Sequence, residues 1–284
     1  MPELPEVECV VRALAPNLTG RSIKSVAMLS RSSAQGSPRR LETLAGRRIE
    51  TLSRRGKFIL AELTGGWRLA VHLRMTGWLG LRTRSAWNAH PDKFVRVLFV
   101  LDGGPGSSQD LLLFRDIRKF GRLWCGSAAD LAALPSIAKL GPEPLEIGVE
   151  EFSVRLRARR GRLKSILLDQ SFVAGVGNIY ADESLYRAQL HPLAKPQAIS
   201  RQAAARLHQS IQTVLRKAIA AGGSSIGDYL HPDGTPGWFQ RALRAYGREG
   251  KPCGRCKTAI RRIVVGQRGT WFCPACQRRK TSRC

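Results

Sequence analysis

Cys253-Gly254-Arg255-Cys256 and Cys273-Pro274-Ala275-Cys276 frame the stretch from which the organisation of the chain is read. Each C-x-x-C pair sets two thiols on one knuckle, and sixteen residues separate the pairs. That spacing suits four sulfur ligands closing on one tetrahedral Zn²⁺, with a β-hairpin between the knuckles. Residues 263–265 and 270–272 read as its strands and 266–269 as its turn. A metal closed by four thiolates has no open position for a substrate, so its expected role is structural. Binding of this kind supplies on the order of 10 kcal/mol to a unit too small to build its own core. A redox dithiol, the other chemistry of C-x-x-C, needs a single pair beside a βαβ unit. From residue 251 onward there are Lys and Arg and no Asp or Glu, which suits a surface laid against phosphates.

The whole chain shares that sign. It carries 47 Lys+Arg against 21 Asp+Glu, a net charge of +26 over 284 residues. Such a field recruits polyanions, with nucleic acid the leading partner and an anionic membrane surface the second, and it argues against a small neutral substrate. No apolar run reaches the roughly 18 residues of a membrane span, and the acidic start is no signal peptide, so a cytoplasmic protein is expected. Cys9, Cys125 and Cys284 are scattered and suggest no disulfide framework.

Upstream of the finger the apolar period is helical. Residues 150–159, 162–168, 179–189 and 201–221 read as helices, the last with Ser200 as N-cap and Gly222-Gly223 as its stop. A Gly-, Ser- and Pro-containing loop, 222–237, joins them to the finger. Pro- and Gly-rich residues 135–149 read as a linker. Before it lie short, mostly alternating segments at 22–29, 48–52, 58–63, 69–75, 95–101 and 111–114, with 103–109 as a hairpin loop. Strands this short, without helices between them, indicate an antiparallel sandwich or barrel. Residues 4–15 form an amphipathic helix that stops before Pro16. The expected fold is therefore multidomain α+β, with an N-terminal sandwich domain at 1–134, a helical domain at 150–237 and a zinc-finger module at 238–284.

Four stretches carry candidate chemistry. If Met1 is removed, Pro2 presents a secondary amine beside the carboxylate of Glu3, a nucleophile with a proton-transfer partner. The same residues also read as a plain lead-in to the first helix. Residues 171–178 form a glycine-containing turn between helices, where Asn178 can cap the following helix and its N-terminus can hold a phosphate. His72-Leu73-Arg74-Met75-Thr76-Gly77 ends a strand in which Met75 shares a face with Val71 and Leu73, a core pattern. Asp116-Ile117-Arg118-Lys119-Phe120-Gly121 sets a cation and an aromatic beside a turn. Lys57, Arg159 and Lys164 lie in basic stretches that alone read as solvated.

Together these stretches resemble the formamidopyrimidine-DNA glycosylases, bacterial 8-oxoguanine DNA glycosylase/AP lyases. The likeness spans nearly the whole chain: the Pro2-Glu3-Leu4-Pro5-Glu6 opening, Arg55-Gly56-Lys57, His72 to Gly77, Arg118-x-Phe120-Gly121, Leu168-Asp169-Gln170, Gly175 to Glu183, Tyr246-Gly247-Arg248 and the finger. The resemblance implies that Pro2 attacks C1′ of a damaged nucleotide and that Glu3 moves protons. Lys57 and Arg268 would contact phosphate and serve the strand eliminations. It implies that Met75, Arg118 and Phe120 fill the stack vacated by the everted nucleotide, which displaces the core reading of Met75. Residues 222–237 would cover the everted base and Asn178 would hold phosphate. His72, His90, Arg159, Lys164 and Tyr246 match further DNA-binding positions. One zinc ion, damaged double-stranded DNA as partner, no membrane and a monomer follow from the same likeness.

The chain departs from the family pattern at His90-Pro91-Asp92-Lys93, at Ile117 where Pro is usual and at Trp238 where Tyr is common. Two other readings compete. An endonuclease VIII-type enzyme for oxidised pyrimidines shares the Pro-Glu start and the finger, but Leu4 and the Met75, Arg118, Phe120 set favour the purine enzyme. A non-catalytic zinc-finger DNA-binding protein would share the charge and the finger but not a working N-terminus.

Overall fold

The computed structural model describes residues 1–103 and 108–279. The expected loop at 103–109 and the basic end at 278–284, Cys284 included, lie largely outside them. The chain divides into two compact units. One is Met1–Ala138 together with Gly222–Trp238; the other is Lys139–Ala221 together with the described residues from Phe239 onward. Residues 222–238 thus belong by contact with the first unit, whereas the sequence reading grouped 222–237 with the helices. The finger shares its unit with the helical domain.

The first unit starts with helix α1, Leu4–Leu18. Leu4, Val7, Val10, Val11, Leu14 and Leu18 recur at helical spacing and are all buried. The helix passes through Pro16 instead of stopping before it. A proline near the last turn forfeits one backbone bond, and burial of Leu14 and Leu18 on a common face offsets that loss. Strands β1 (Ile23–Met28), β2 (Ile49–Arg55), β3 (Phe58–Leu63), β4 (Trp67–His72) and β5 (Gly77–Arg82) follow. After the short helix α2 (Arg84–Ala89) come β6 (Val95–Leu101), β7 (Leu111–Asp116), β8 (Arg122–Ser127) and two short helices, α3 (Ala128–Ala132) and α4 (Pro135–Ala138). The eight strands make two antiparallel four-stranded sheets, ordered β1-β6-β7-β5 and β2-β3-β4-β8. Ile59, Leu69, Val71 and Leu123 of one sheet share a core with Leu79, Val97, Phe99, Leu112 and Phe114 of the other, and α1 contributes Val7, Val10 and Leu14. This is the antiparallel sandwich with a flanking helix that the alternation predicts.

In the second unit α8 (Arg201–Ala220) packs on α5 (Val149–Ala158) and α7 (Asn178–Ala188), with α6 (Leu163–Leu168) against α7. Ser200 caps α8 by accepting from Ala203 N, as its position predicts. The α6–α7 turn is closed by Gln170, whose amide donates to Leu168 O and Val176 O at 2.9 Å and accepts from Gly175 N at 2.9 Å. Strands β9 (Arg261–Val265) and β10 (Arg268–Phe272) form the finger hairpin. Its turn is only Gly266-Gln267, both with positive φ (55° and 60°), the geometry of a type I′ hairpin turn.

At the end of β4, His72 is 8 % exposed, with its ring edge-on to Phe58 at 4.7 Å. Its Nδ1 accepts from Arg74 N at 3.0 Å, so the neutral ring holds its proton on Nε2. Burial, then the nearby charges of Arg74 and Lys57, push its pKa down from 6.5 to about 3. The unfolded chain therefore binds this proton more readily than the native one. Stability from neutral His72 is complete above about pH 6.5 and is lost as pH falls toward 3. Substitution His72→Gln is expected to flatten the acid limb of urea-unfolding stability between these limits by up to about 1.4 kcal/mol per pH unit. An unchanged slope would mean that His72 is not the buried neutral group.

Candidate active site and nucleic-acid interface

The N-terminus is fixed from two directions. Pro2 is buried, Glu3 is 3 % exposed, and Met1 is exposed. Glu3 and Glu6 form a reciprocal capping box at the start of α1, with Glu3 N donating to Glu6 Oε2 at 2.8 Å. The second oxygen of the same carboxylate, Oε1, accepts from Ser224 N at 2.8 Å, and Tyr229 Oη donates to Glu6 O at 3.2 Å. A Cβ on Gly223 would approach Glu6 atoms to 3.1 Å, and its φ is +78°, so the loop can close on α1 only with glycine there. The residues that place the N-terminal segment are thus Glu6, Ser224 and Tyr229, which sequence reading did not single out. The Glu3-x-x-Glu6 spacing is a capping-box signal that was available for Glu6.

Lys57 occupies the second position of the two-residue turn between β2 and β3, after Gly56 at φ +56°. It is 6 % exposed, and its charge lies close enough to His72 to depress that ring's pKa. Arg54 from the same strand end bonds Glu8 of α1 at 2.9 Å, which ties the Lys57 turn to the helix that follows Pro2 and Glu3.

Met75, Arg118 and Phe120 sit on two loops, one between β4 and β5 and the other between β7 and β8. Met75 is 38 % and Phe120 47 % exposed, and the Arg118 guanidinium lies over the Phe120 ring at 4.8 Å. Leu73 and Val71 are buried, but Arg74 at φ +55° interrupts the alternation and turns Met75 outward. The core reading of Met75 therefore fails on geometry as well as on resemblance. His90 is exposed at the end of α2, where it borders a hollow lined by Trp78, Trp87 and Leu230.

In the helical unit, Asn178 opens α7, but it is not the cap: that position is Gly177. Its Nδ2 instead donates to Gly269 O at 3.1 Å, joining α7 to the finger hairpin one residue from Arg268. Arg268 pairs with Val265 as the first residue of β10, and its side chain is exposed. Lys164 corrects an expectation. It is fully buried, with Nζ 2.8 Å from Asp182 Oδ1 and donating to Gly269 O at 2.8 Å, so its charge is not offered to DNA. It is a strut under the hairpin. Arg159 is partly exposed and bonds Asp169 at 3.1 Å and Ser171 Oγ at 3.0 Å, bracing the α6–α7 turn. Tyr246 lies against Trp271 at 4.6 Å, and its backbone N donates to the buried carboxylate of Glu183 at 2.9 Å.

The sulfurs of Cys253, Cys256, Cys273 and Cys276 all lie within 4.8 Å of one another. Sγ of Cys256 is 3.4 Å from those of Cys273 and Cys276, and Sγ of Cys253 is 3.9 Å from that of Cys276. Tetrahedral ligands at about 2.3 Å from zinc stand roughly 3.8 Å apart, so the four thiols fit one ion. Backbone N–H groups of Arg255 and Cys276 point at Cys253 Sγ and Cys273 Sγ, each at 3.4 Å, a polarity suited to thiolates. Metal analysis is expected to return one zinc per chain, and Cys273→Ser is expected to lose the ion together with the protease resistance of the finger. Full resistance without zinc would contradict a structural role.

Three family models match in order. "Formamidopyrimidine-DNA glycosylase N-terminal domain" covers residues 1–123, "Formamidopyrimidine-DNA glycosylase H2TH domain" covers 140–229, and "Zinc finger found in FPG and IleRS" covers 250–279. The chain is 46 % identical to the formamidopyrimidine-DNA glycosylase of Solibacter usitatus, over 98 % of this chain and all of that protein. It is 42 % identical to that of Thermus thermophilus over 98 % of each. The crystal structure of the Thermus thermophilus MutM (Fpg) protein superposes with a TM-score of 0.86 at 40 % identity, covering 99 % of this chain and all of that one. The Lactococcus lactis Fpg (MutM), crystallised with Fapy-dG-containing DNA, gives 0.86 at 35 % identity, covering 98 % of this chain and all of that one. Ordered matches over the sandwich, the helical domain and the finger place the chain in the formamidopyrimidine-DNA glycosylase family.

Proposed function

We propose that this chain is a base-excision-repair DNA glycosylase and AP lyase acting on oxidised purines in duplex DNA, with the Pro2 amine as nucleophile. The observation that carries the mechanism is the doubly anchored N-terminus: Glu6 bonds Glu3 N and Ser224 N with its two carboxylate oxygens. A reactive amine gains most when its position is settled before the substrate arrives.

Removal of Met1 frees the secondary amine of Pro2. Its nitrogen forms a bond to C1′ as the glycosidic bond breaks and the damaged base leaves. Opening of the sugar then gives a cationic iminium, which draws electrons from C2′. Loss of the C2′ proton expels the 3′ phosphate, and a second elimination expels the 5′ phosphate. Glu3, the adjacent carboxylate, carries protons in these steps. Lys57 and Arg268 each neutralise phosphate and assist the eliminations, and Asn178 binds backbone phosphate. His72 keeps its Nε2–H as a donor to phosphate, since Nδ1 is already used by the turn. His90, Arg159 and Tyr246 belong to the wider DNA surface.

Met75, Arg118 and Phe120 enter the duplex where the lesion leaves the stack, and residues 222–237 cover the everted base. The crystallised Lactococcus lactis relative was bound to DNA containing Fapy-dG or an abasic site, which supports the substrate class. Zinc has no part in the chemistry; Cys253, Cys256, Cys273 and Cys276 hold it to keep the hairpin in shape. Among the described residues no helix is long and apolar enough to cross a membrane. The net charge of +26 suits a monomeric protein that spends its time on DNA in the cytoplasm.

Single-turnover cleavage of duplexes carrying 8-oxoguanine opposite C or thymine glycol opposite A tests this reading. The purine lesion is expected to be cut faster, and protein that retains Met1 is expected to lose activity on both. Preference for thymine glycol would assign the chain to the endonuclease VIII type.

A further inference from the structure

The two loops that carry Met75, Arg118 and Phe120 are not independent. Asp116, the last residue of β7, is fully buried, and its carboxylate is divided among three donors. Oδ1 accepts from Thr76 Oγ1 at 2.5 Å and from Arg118 N at 3.2 Å, while Oδ2 accepts from Gly121 N at 2.6 Å. Thr76 Oγ1 in turn accepts from Arg118 N at 3.2 Å. Thr76 directly follows Met75, and Arg118 and Gly121 bracket Phe120. The whole loop from 117 to 121 is wound around this carboxylate. At Gly121 a Cβ would come within 2.5 Å of Phe114 and 3.1 Å of Asp116 Oδ2, so the closure leaves no room for a side chain. From the other side Arg96 Nε donates to Asp116 O at 2.8 Å, which holds the strand end in place.

A buried carboxylate that accepts three hydrogen bonds is costly to disturb, because any freed donor or acceptor is stranded away from water. We propose that Thr76 and Asp116 form a clasp that makes one rigid insertion unit of the two loops, so that Met75 and the Arg118–Phe120 pair enter DNA together. The inference rests on the reading of Met75, Arg118 and Phe120 as the residues that replace the everted nucleotide. Thr76 is 6 % exposed and Asp116 fully buried, so they act through the residues they hold and are positioning residues. Sequence proximity does not reveal them as a pair, since forty residues separate them.

Thr76→Val removes the hydroxyl at nearly constant volume, Thr76→Ser keeps it, and Asp116→Asn is a second disruption of the same bonds. Duplexes with 8-oxoguanine opposite C and 2-aminopurine beside the lesion report eversion by fluorescence and excision by single-turnover cleavage. A single strand with a preformed abasic site needs no stack filling and reports the chemistry alone. Thr76→Val and Asp116→Asn are expected to slow eversion and duplex excision by roughly 10- to 100-fold, the loss that one hydrogen bond to a charged group implies. Cleavage of the single-stranded abasic site should stay within about twofold, and Thr76→Ser should restore duplex excision. The clasp is refuted if Thr76→Val excises at the native rate while Met75→Ala and Phe120→Ala are slow. It is refuted as a positioning device if Thr76→Val loses both reactions equally. Native rates in Met75→Ala and Phe120→Ala would remove the insertion reading and the clasp's role with it.

Discussion

One carboxylate settles where the N-terminus of this chain lies. Glu6 is 1 % exposed and spends both oxygens on backbone N–H groups, one from Glu3 and one from Ser224, 218 residues further along the chain. An acidic side chain buried to this extent is tolerated because its lone pairs are satisfied and it stands in the first turn of a helix, where the dipole favours negative charge. Chain termini are ordinarily loose. Here the terminal segment is continuous with α1, α1 is seated in the sandwich core through Val7, Val10 and Leu14, and Glu6 ties that seat to the 222–237 loop. Placement of Pro2 and Glu3 is therefore a property of the first unit as a whole.

Polar bonds of the same kind recur beside several of the side chains proposed to meet DNA. Asp116 organises the loop that presents Arg118 and Phe120. Glu183 gathers the N–H groups of Arg244, Ala245 and Tyr246. Lys164 and Asn178 both donate to Gly269 O, beside Arg268. In each case a buried polar group fixes the backbone beside a side chain that reaches the surface wholly, as at Arg118, Phe120 and Arg268, or in part, as at Tyr246. A strongly basic surface needs such bracing, because like charges crowded on short loops repel one another in the absence of the polyanion.

Much of this was legible in the sequence, for identifiable reasons. The C-x-x-C spacing specifies the finger because zinc geometry is strict, and β3 and β6 are bounded as the alternation predicts because each has one face in the core. Two strands go beyond those that the pattern names: β5 contains Gly77 and Gly80 and β8 contains Gly126, and glycine blurs the apolar alternation. Met75 follows the strand period on paper but not in space, because Arg74 adopts a left-handed conformation that no local signal announces. Lys164 reads as surface in a basic run. Its burial depends on Asp182 and Gly269, partners that only the folded chain brings near. For the same reason residues 222–237 read as part of the helical domain they follow, although residues 222–238 make their contacts in the unit of α1.

The central claim is that the N-terminal amine, and not a lysine, attacks the sugar. Its most direct test is to reduce the reaction of Met1-free protein on an 8-oxoguanine duplex with borohydride, digest the adduct, and locate the nucleotide remnant by tandem mass spectrometry. The account predicts the remnant on the nitrogen of Pro2. A remnant on Lys57, or no adduct from protein that cleaves the duplex, would contradict it.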